Sequence, residues 1–368
     1  MSKETKPTAS HARKRTQNKK NTRTLAICGT VFLSIVGIVL MSVSGLLWYF
    51  QYNRNSSLDA LTDEQLGLNT ALDDDIINIA LFGIDSPYKT SFKGRSDSLM
   101  ILSVDTAHGA IKITSILRDS VVPVEGYNVQ KINAAYSYGG PELAIKTLNE
   151  AFDLNIRDYA TVNFIGMGNI IDVVGGIEVD ISEAERNEAN KHIKYTCLKS
   201  GTKPVYIEKA GKQILNGNQA VTFARIRKIS TINGQNNDFG RTDRQRYVME
   251  QLFNKALSMS KAQYPALIKS MLPYMETSMS YSDILKLAGV LTKEMRFEQA
   301  RIPKDYSMTI PYAQKDVPTS LGSVVYYRLD YATDMMHAFI YDDVSQEDYM
   351  ATHPADNTPW YTEWKANQ

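Results

Sequence analysis

The sequence predicts an α/β domain with a largely internal sheet, carried behind a single membrane-spanning helix. Three observations predict it: an uncharged stretch over residues 24–53 behind a basic leader, short apolar runs bounded by turn residues from residue 76 onward, and helical periodicities alternating with those runs.

The span comes first. Residues 24–53 contain no Asp, Glu, Lys or Arg, and residues 25–50 are rich in Leu, Ile, Val and Phe. At a helical rise of about 1.5 Å per residue this stretch crosses the hydrocarbon layer of roughly 30 Å. Lys3, Lys6, Arg13, Lys14, Arg15, Lys19, Lys20 and Arg23 precede it against the single acid Glu4, whereas only Arg54 follows closely. That bias sets the N-terminus in the cytoplasm and the rest of the chain outside, with Trp48 and Tyr49 at the outer interface. A cleaved signal peptide would have an apolar region of about 7–15 residues ending in a small-x-small site. This stretch is longer and ends in Leu46-Leu47-Trp48-Tyr49-Phe50, so retention as an anchor is expected.

Residues 1–24 are thus a cytoplasmic tail, 25–50 the anchor, 51–74 a polar linker, 75–345 an extracytoplasmic α/β domain and 346–368 a polar tail. Net charge is +1 over the chain, and the eight bases and one acid of the leader account for +7, leaving about −6 outside. Such a surface argues against nucleic acid as a partner and requires any anion site to be local. Cys28 lies in the span and Cys197 is alone beyond it, so stability rests on packing rather than on a disulfide.

Within the domain, residues 76–82 read as a buried strand ending at Gly83, and residues 99–104 and 111–116 as two more strands joined by the turn at 105–109. Residues 141–152 read as a helix opened by Gly-Gly-Pro, and residues 164–174 as a second, stopped by Gly175-Gly176. Residues 177–181 alternate as a strand. A helical stretch at 217–224 leads into an expected strand over 221–227, and residues 241–259 form a long helix with Val248, Leu252 and Ala256 on its apolar face. Further on, helical pieces are expected at 267–275 and at 282–288, the latter capped by Ser282. Extended segments are expected at 293–301 and 308–311, a strand at 324–329 and a helix at 333–340.

Three clusters carry chemistry. Asp85 follows the first strand and Asp97 precedes the next, so both carboxylates reach one sheet edge. Without thiols or imidazoles they suit a hard cation such as Mg²⁺, although a capping or turn aspartate is the plainer reading of each alone. Arg118 stands at the end of the third strand beside Asp119, either as a structural ion pair or as a five-donor fork for phosphate. Arg225 and Arg227, two apart on the expected strand, share a face. Arg241 and Arg244 share a face at the start of the long helix, where positive charge opposes the dipole unless an anion or nearby acids offset it. Five such arginines in an otherwise acidic domain point to a diphosphate ligand. Absence of a Gly-x-Ser-x-Gly elbow argues against a Ser/His/Asp hydrolase, and absence of a phosphate loop argues against nucleoside triphosphate chemistry.

Taken in order, Asn78-Ile79-Ala80-Leu81-Phe82-Gly83-Ile84-Asp85, Arg95-Ser96-Asp97, Ser115-Ile116-Leu117-Arg118-Asp119, Lys131-Ile132-Asn133-Ala134-Ala135-Tyr136, Val174-Gly175-Gly176-Ile177, Leu215-Asn216-Gly217 and Phe239-Gly240-Arg241-Thr242-Asp243-Arg244-Gln245-Arg246 resemble the LytR-CpsA-Psr family of bacterial cell-wall proteins over residues 76–259. Leu117 departs from a proline common there. The resemblance implies a central mixed β-sheet flanked by helices, with an apolar groove for an isoprenoid chain. It implies a membrane-anchored, Mg²⁺-dependent phosphotransferase that moves a glycopolymer, of teichoic acid or capsular polysaccharide type, from a polyprenyl diphosphate carrier to a peptidoglycan sugar hydroxyl. On that basis Asp85 and Asp97 hold the metal, and Arg95, Arg118, Arg225, Arg227, Arg241 and Arg244 surround the diphosphate. Asp243 orients one of these groups, and Asp97 or Asp243 takes the proton. A polyprenyl-phosphate-binding scaffold or regulator and a lipid-carrier pyrophosphatase are the alternative activities. Residues 191–209 and the chain after Met259 carry no motif of the family.

Overall fold

The computed structural model describes residues 54–72, 75–86, 91–231, 234–291, 294–310 and 319–354. The basic tail and the expected span lie outside these residues, and among the described residues no helix is long and apolar enough to cross a membrane.

Strands β1 (Ile76–Ile84), β2 (Ser96–Asp105) and β3 (Ala110–Ile116) form an antiparallel meander where the apolar runs predict strands. The pleat sends Ala80, Phe82 and Ile84 to one face of β1 and Ile79 to the other. Near its far end the register slips: Gly83 pairs with Ser98 but Ile84 with Ser96, which leaves Asp97 as the extra residue of a bulge. Bulges re-aim side chains, and this one turns Asp97 out of the regular alternation at the edge where β1 delivers Asp85.

A hairpin of β4 (Val121–Val124) and β5 (Asn128–Lys131) runs directly into α1 (Ile132–Phe152). The helix begins nine residues before the expected start at Pro141, because the chain kinks at Gly139 and Gly140 instead of starting there. Gly140 has φ 65°, and Pro141 then opens the second half, where a missing N–H leaves no bond unmade.

β6 (Asp158–Asn163) is followed by α2 (Phe164–Val173), whose first turn is capped by the Asn163 side chain accepting from Gly166 N–H at 2.7 Å. β7 (Ile177–Ile181) opens a small insertion through α3 (Glu183–Ser200), which a reciprocal Ser182/Glu185 capping box starts and Gly201, at φ 74°, ends. β8 (Gly211–Leu215) returns to pair with β7. A second capping box, Asn216 with Gln219, fixes α4 (Gly217–Ala224). This corrects the expected strand over 221–227: β-branched Val221 and Thr222 suit a strand, but the cap and the burial of seven of the eight helical residues decide for a helix. Arg225 and Arg227 therefore stand on irregular chain just beyond α4, ahead of the long α5 (Asn237–Ser258).

α6 (Tyr264–Met271), β9 (Met275–Thr277) and α7 (Tyr281–Val290) follow, the last capped by Ser280 and not Ser282. β10 (Arg296–Ile302), α8 (Leu329–Ile340) and α9 (Gln346–Thr352) end the described chain. The strand expected at 324–329 is reduced to a single bridge between Val325 and Ser120.

The main sheet runs β10-β3-β2-β1-β6-β9, with β10–β3 and β1–β6 parallel and the other pairs antiparallel. It is mixed, as the resemblance implies. α1 and α8 cover one face through Leu148, Phe152, Met335 and Phe339. α5 and α7 cover the other through Met249, Phe253 and Leu287, against Ile79, Met100, Leu102 and Ile113. A further core joins α2, α3, α4 and the β7–β8 hairpin to α5 through Val248 and Leu252. Backbones of α2 and α4 touch: a Cβ on Gly217 would lie 1.9 Å from the carbonyl oxygen of Gly168.

Candidate active site

Every element that ends at one edge of the β1–β2–β3 meander contributes a charged group there. β3 delivers Arg118, whose Nη1 donates to Asp97 Oδ1 at 2.5 Å. Its Nε lies 3.5 Å from both Asp119 and Asp238 and makes no hydrogen bond. Asp119 is also held by Lys131 Nζ at 2.9 Å. Asp238, in the first turn of α5, is shared: Arg227 reaches it at 3.2 Å, Arg241 at 3.3 Å and Arg118 at 3.5 Å. Arg241 Nη2 also donates to the Asp97 carbonyl oxygen at 3.4 Å. On the far side, Arg225 lies 3.4 Å from Asp85 and rests on the Phe164 ring at 4.3 Å, and Lys199 of α3 approaches the other oxygen of Asp85 at 3.5 Å.

The balance of charge is unequal. Six cations, Arg118, Lys131, Lys199, Arg225, Arg227 and Arg241, face four carboxylates, Asp85, Asp97, Asp119 and Asp238, an excess of two. Burial works against the charge of Arg118, yet Asp97, Asp238 and Asp119 together hold its pKa above the ordinary value. Arg241 is the converse. Burial, with Arg118 and Arg227 as like-charged neighbours and only Asp238 and Asp97 opposing, pushes it down to about 10. Its Nε is buried without a hydrogen-bond partner. A desolvated guanidinium with an open donor is what an anion site presents before its anion arrives.

Behind this cluster lies an apolar cavity of about 270 Å³ between the sheet and helices α2, α4 and α5, lined by Leu81, Met100, Val162, Met167, Met249 and Phe253 among others. Chain adjacency ties its mouth to the charges. Gly83, Ser98 and Ala224 line the cavity, while Asp85, Asp97 and Arg225 stand one or two residues away. Gln245, with Oε1 buried and unbonded, lines it one helical turn from Arg241. The arrangement suits an amphipathic anion, with its head among guanidinium groups and its tail in the cavity.

Asp85 and Asp97 offer hard oxygen donors at the same end of β1 and β2, with no third carboxylate, imidazole or thiol grouped with them among the described residues. Mg²⁺ is held by one or two carboxylates completed by water and phosphate, so this donor set fits it beside a bound diphosphate.

Two expected site residues are elsewhere. Arg244 is fully buried and spent on the scaffold, donating to Glu185 Oε1 at 2.9 Å and to the carbonyls of Ile226 and Ile229. Arg241 and Arg244 are only about 60° apart around α5, but their guanidinium groups part, the first to Asp238 and the second to Glu185 of α3. Asp243 is shared between Arg246 and Arg301, each at 2.5 Å, on the β10 side of α5. Arg95 is exposed at the start of β2 and makes no ion pair among the described residues. Sequence reasoning missed Asp238, Lys131, Lys199 and Gln245. Lys131 and Gln245 stand inside quoted motifs, Asp238 directly precedes one, and Gln245 follows Arg241 by the helical i+4 spacing, which was the available signal.

An arginine-rich cluster thus stands at the mouth of an apolar cavity, on a mixed sheet between helices. The LytR_cpsA_psr family model matches residues 48–325, and the chain belongs to that family. It is 34% identical over 188 residues to the polyisoprenyl-teichoic acid–peptidoglycan teichoic acid transferase TagV of Bacillus subtilis, covering 50% of this chain and 44% of the relative. Against TagU of Oceanobacillus iheyensis, a transferase of the same description, it is 34% identical over 211 residues, 55% of this chain and 59% of the relative. The chain thus spans about half the length of these curated relatives. Among solved structures, the LytR-CPS2A-psr family protein YwtF (TagT) with bound octaprenyl pyrophosphate lipid superposes with a TM-score of 0.54 at 19% identity, covering 76% of this chain and 98% of that one. At that identity the likeness speaks for the fold.

Proposed function

We propose that this chain is a membrane-anchored phosphotransferase that moves a cell-wall glycopolymer from a polyprenyl diphosphate carrier to a sugar hydroxyl of peptidoglycan. One observation carries the reading: an excess of cationic charge, with Arg241 desolvated and its Nε unbonded, at the mouth of an apolar cavity. A diphosphate with a polyprenyl tail satisfies both halves at once. The named activities of TagV and TagU, and the lipid bound to YwtF, support the same assignment.

In this reading Arg118, Arg225, Arg227 and Arg241 grip the diphosphate, with Arg95 reaching in from the open side. The acceptor hydroxyl oxygen attacks the phosphorus that bears the sugar. Its new P–O bond forms as the bond to the bridging oxygen breaks, leaving a phosphodiester on peptidoglycan and polyprenyl phosphate as the departing group. Guanidinium groups fixed by Asp97, Asp119 and Asp238 stabilise charge on the non-bridging and leaving oxygens without reorganising. Of the two carboxylates weighed for the hydroxyl proton, Asp97 stands in the charge cluster beside Arg118 and takes it in this reading, whereas Asp243 faces Arg246 and Arg301. Asp85 and Asp97 would hold Mg²⁺, which when bound supplies further positive charge to the phosphate oxygens. The helix expected over residues 25–50 would keep the domain on the outer face of the cell membrane, within reach of its lipid-linked donor.

The test is reconstitution of the full chain in detergent with a lipid-linked glycopolymer, a peptidoglycan fragment and Mg²⁺. A covalent polymer–peptidoglycan product that disappears in Arg118→Ala is expected. Release of free phosphorylated polymer, with water as acceptor, would establish a pyrophosphatase instead. Binding of the lipid with neither product would leave a scaffold.

A further inference from the structure

Asp85 has two cations, and both are arranged alike. Arg225 approaches one carboxylate oxygen at 3.4 Å and lies on the Phe164 ring at 4.3 Å; Lys199 approaches the other oxygen at 3.5 Å and lies over the Tyr195 ring at 5.0 Å. Neither contact is a short hydrogen-bonded pair, and both are open to solvent, with the Lys199 side chain 24% exposed and that of Asp85 35% exposed. The rings hold the two cations in place independently of the carboxylate. Lys199 also sits in the last turn of α3, where the helix dipole favours a positive group. It belongs to the stretch 191–209, to which no motif assigns a role.

We infer that Lys199, backed by Tyr195, is a second positioning cation for the phosphate of the lipid-linked donor, the counterpart of Arg225 across Asp85. This rests on the diphosphate reading above and extends it. A carboxylate that takes a divalent cation has little charge left for two further cations. Lys199 and Arg225, held by their rings, then face the site without an anion, and the phosphate oxygens beside the metal supply one. Tyr195, one turn before Lys199 on α3, is 55% exposed and so leaves the cation above it accessible from solvent.

The test is binding of geranylgeranyl diphosphate to the full chain in detergent, with and without Mg²⁺, for the parent protein and Lys199→Ala, Lys199→Arg and Arg118→Ala. Lys199→Ala is expected to weaken binding about tenfold in Mg²⁺, a loss of one charge-assisted contact, and by a smaller factor in its absence. Lys199→Arg should restore most of the affinity, which a merely structural role for the α3 terminus would not require. Unchanged affinity of Lys199→Ala in Mg²⁺, alongside loss in Arg118→Ala, overturns the role of Lys199 and leaves the site reading intact. A loss as large without Mg²⁺ as with it overturns the exchange at Asp85. Failure of the parent protein to bind the probe removes both readings together.

Discussion

Replacing Arg241 with Gln should make the ligand-free protein more stable while removing its affinity for polyprenyl diphosphates. The fall of Arg241 below the ordinary arginine value, to about 10, is dominated by burial. At about 1.4 kcal/mol per tenfold change in proton affinity, it corresponds to roughly 3 kcal/mol spent on keeping this charge in the fold. The sign follows from proton counting. Above pH of about 10 and up to the ordinary arginine value the unfolded state binds the proton that the folded state has lost, so stability rises with pH there, and at neutral pH the full cost is present. The attraction of Asp238 is already contained in that net shift; Gln further gives up the long contact to the Asp97 carbonyl at 3.4 Å and part of the buried side-chain packing, which returns about half of the gain. A net stabilisation of about 1–2 kcal/mol remains, a rise in melting temperature of roughly 2–8 °C for a domain of this size. Thermal melts of the full chain with and without geranylgeranyl diphosphate would read both effects. The parent should be stabilised by the lipid by about 3 kcal/mol at a hundredfold excess over Kd, and Arg241→Gln should not. A variant that melts below the parent without ligand, by more than about 1 kcal/mol, would show that Arg241 is a structural ion-pair partner and would refute the argument from desolvation.

Other positions give sharper contrasts. Arg244→Gln should cost about 3–5 kcal/mol in a chemical denaturation experiment, because it strands Glu185 at a buried pair and frees the carbonyls of Ile226 and Ile229; loss of lipid binding with full stability would return Arg244 to the site. Gly217→Ala should lower stability by about 1–3 kcal/mol, since its methyl group would meet the Gly168 carbonyl at 1.9 Å and force α2 from α4; an unchanged melting temperature would contradict that packing. Met249→Trp should fill the apolar cavity and weaken geranylgeranyl diphosphate at least tenfold, while leaving inorganic diphosphate within about twofold. Equal effects on the two ligands would mean that the tail does not enter there.

The meander and the charged residues at its edge are legible in the sequence alone, because both are local. Residues 76–82, 99–104 and 111–116 are apolar enough to be strands in any context, and Asp85, Asp97 and Arg118 stand where those strands stop, at an edge that ligands use. Arg225 and Arg227 reach the site although the expected strand beneath them is α4, since their position at the end of a buried element outlasts the change in its type. Tertiary structure decided what depends on neighbours distant in sequence. Arg241 and Arg244 read alike along one helix, yet one meets Asp238 and Asp97 and the other meets Glu185 in the first turn of α3. Asp243 is drawn away by Arg301 on β10, and Lys199 is brought to Asp85 only by the packing of α3. A side chain's charge is written in the sequence, but whether that charge is neutralised, desolvated or left open to a ligand is set by groups a hundred residues away, which only the fold brings within Coulombic reach.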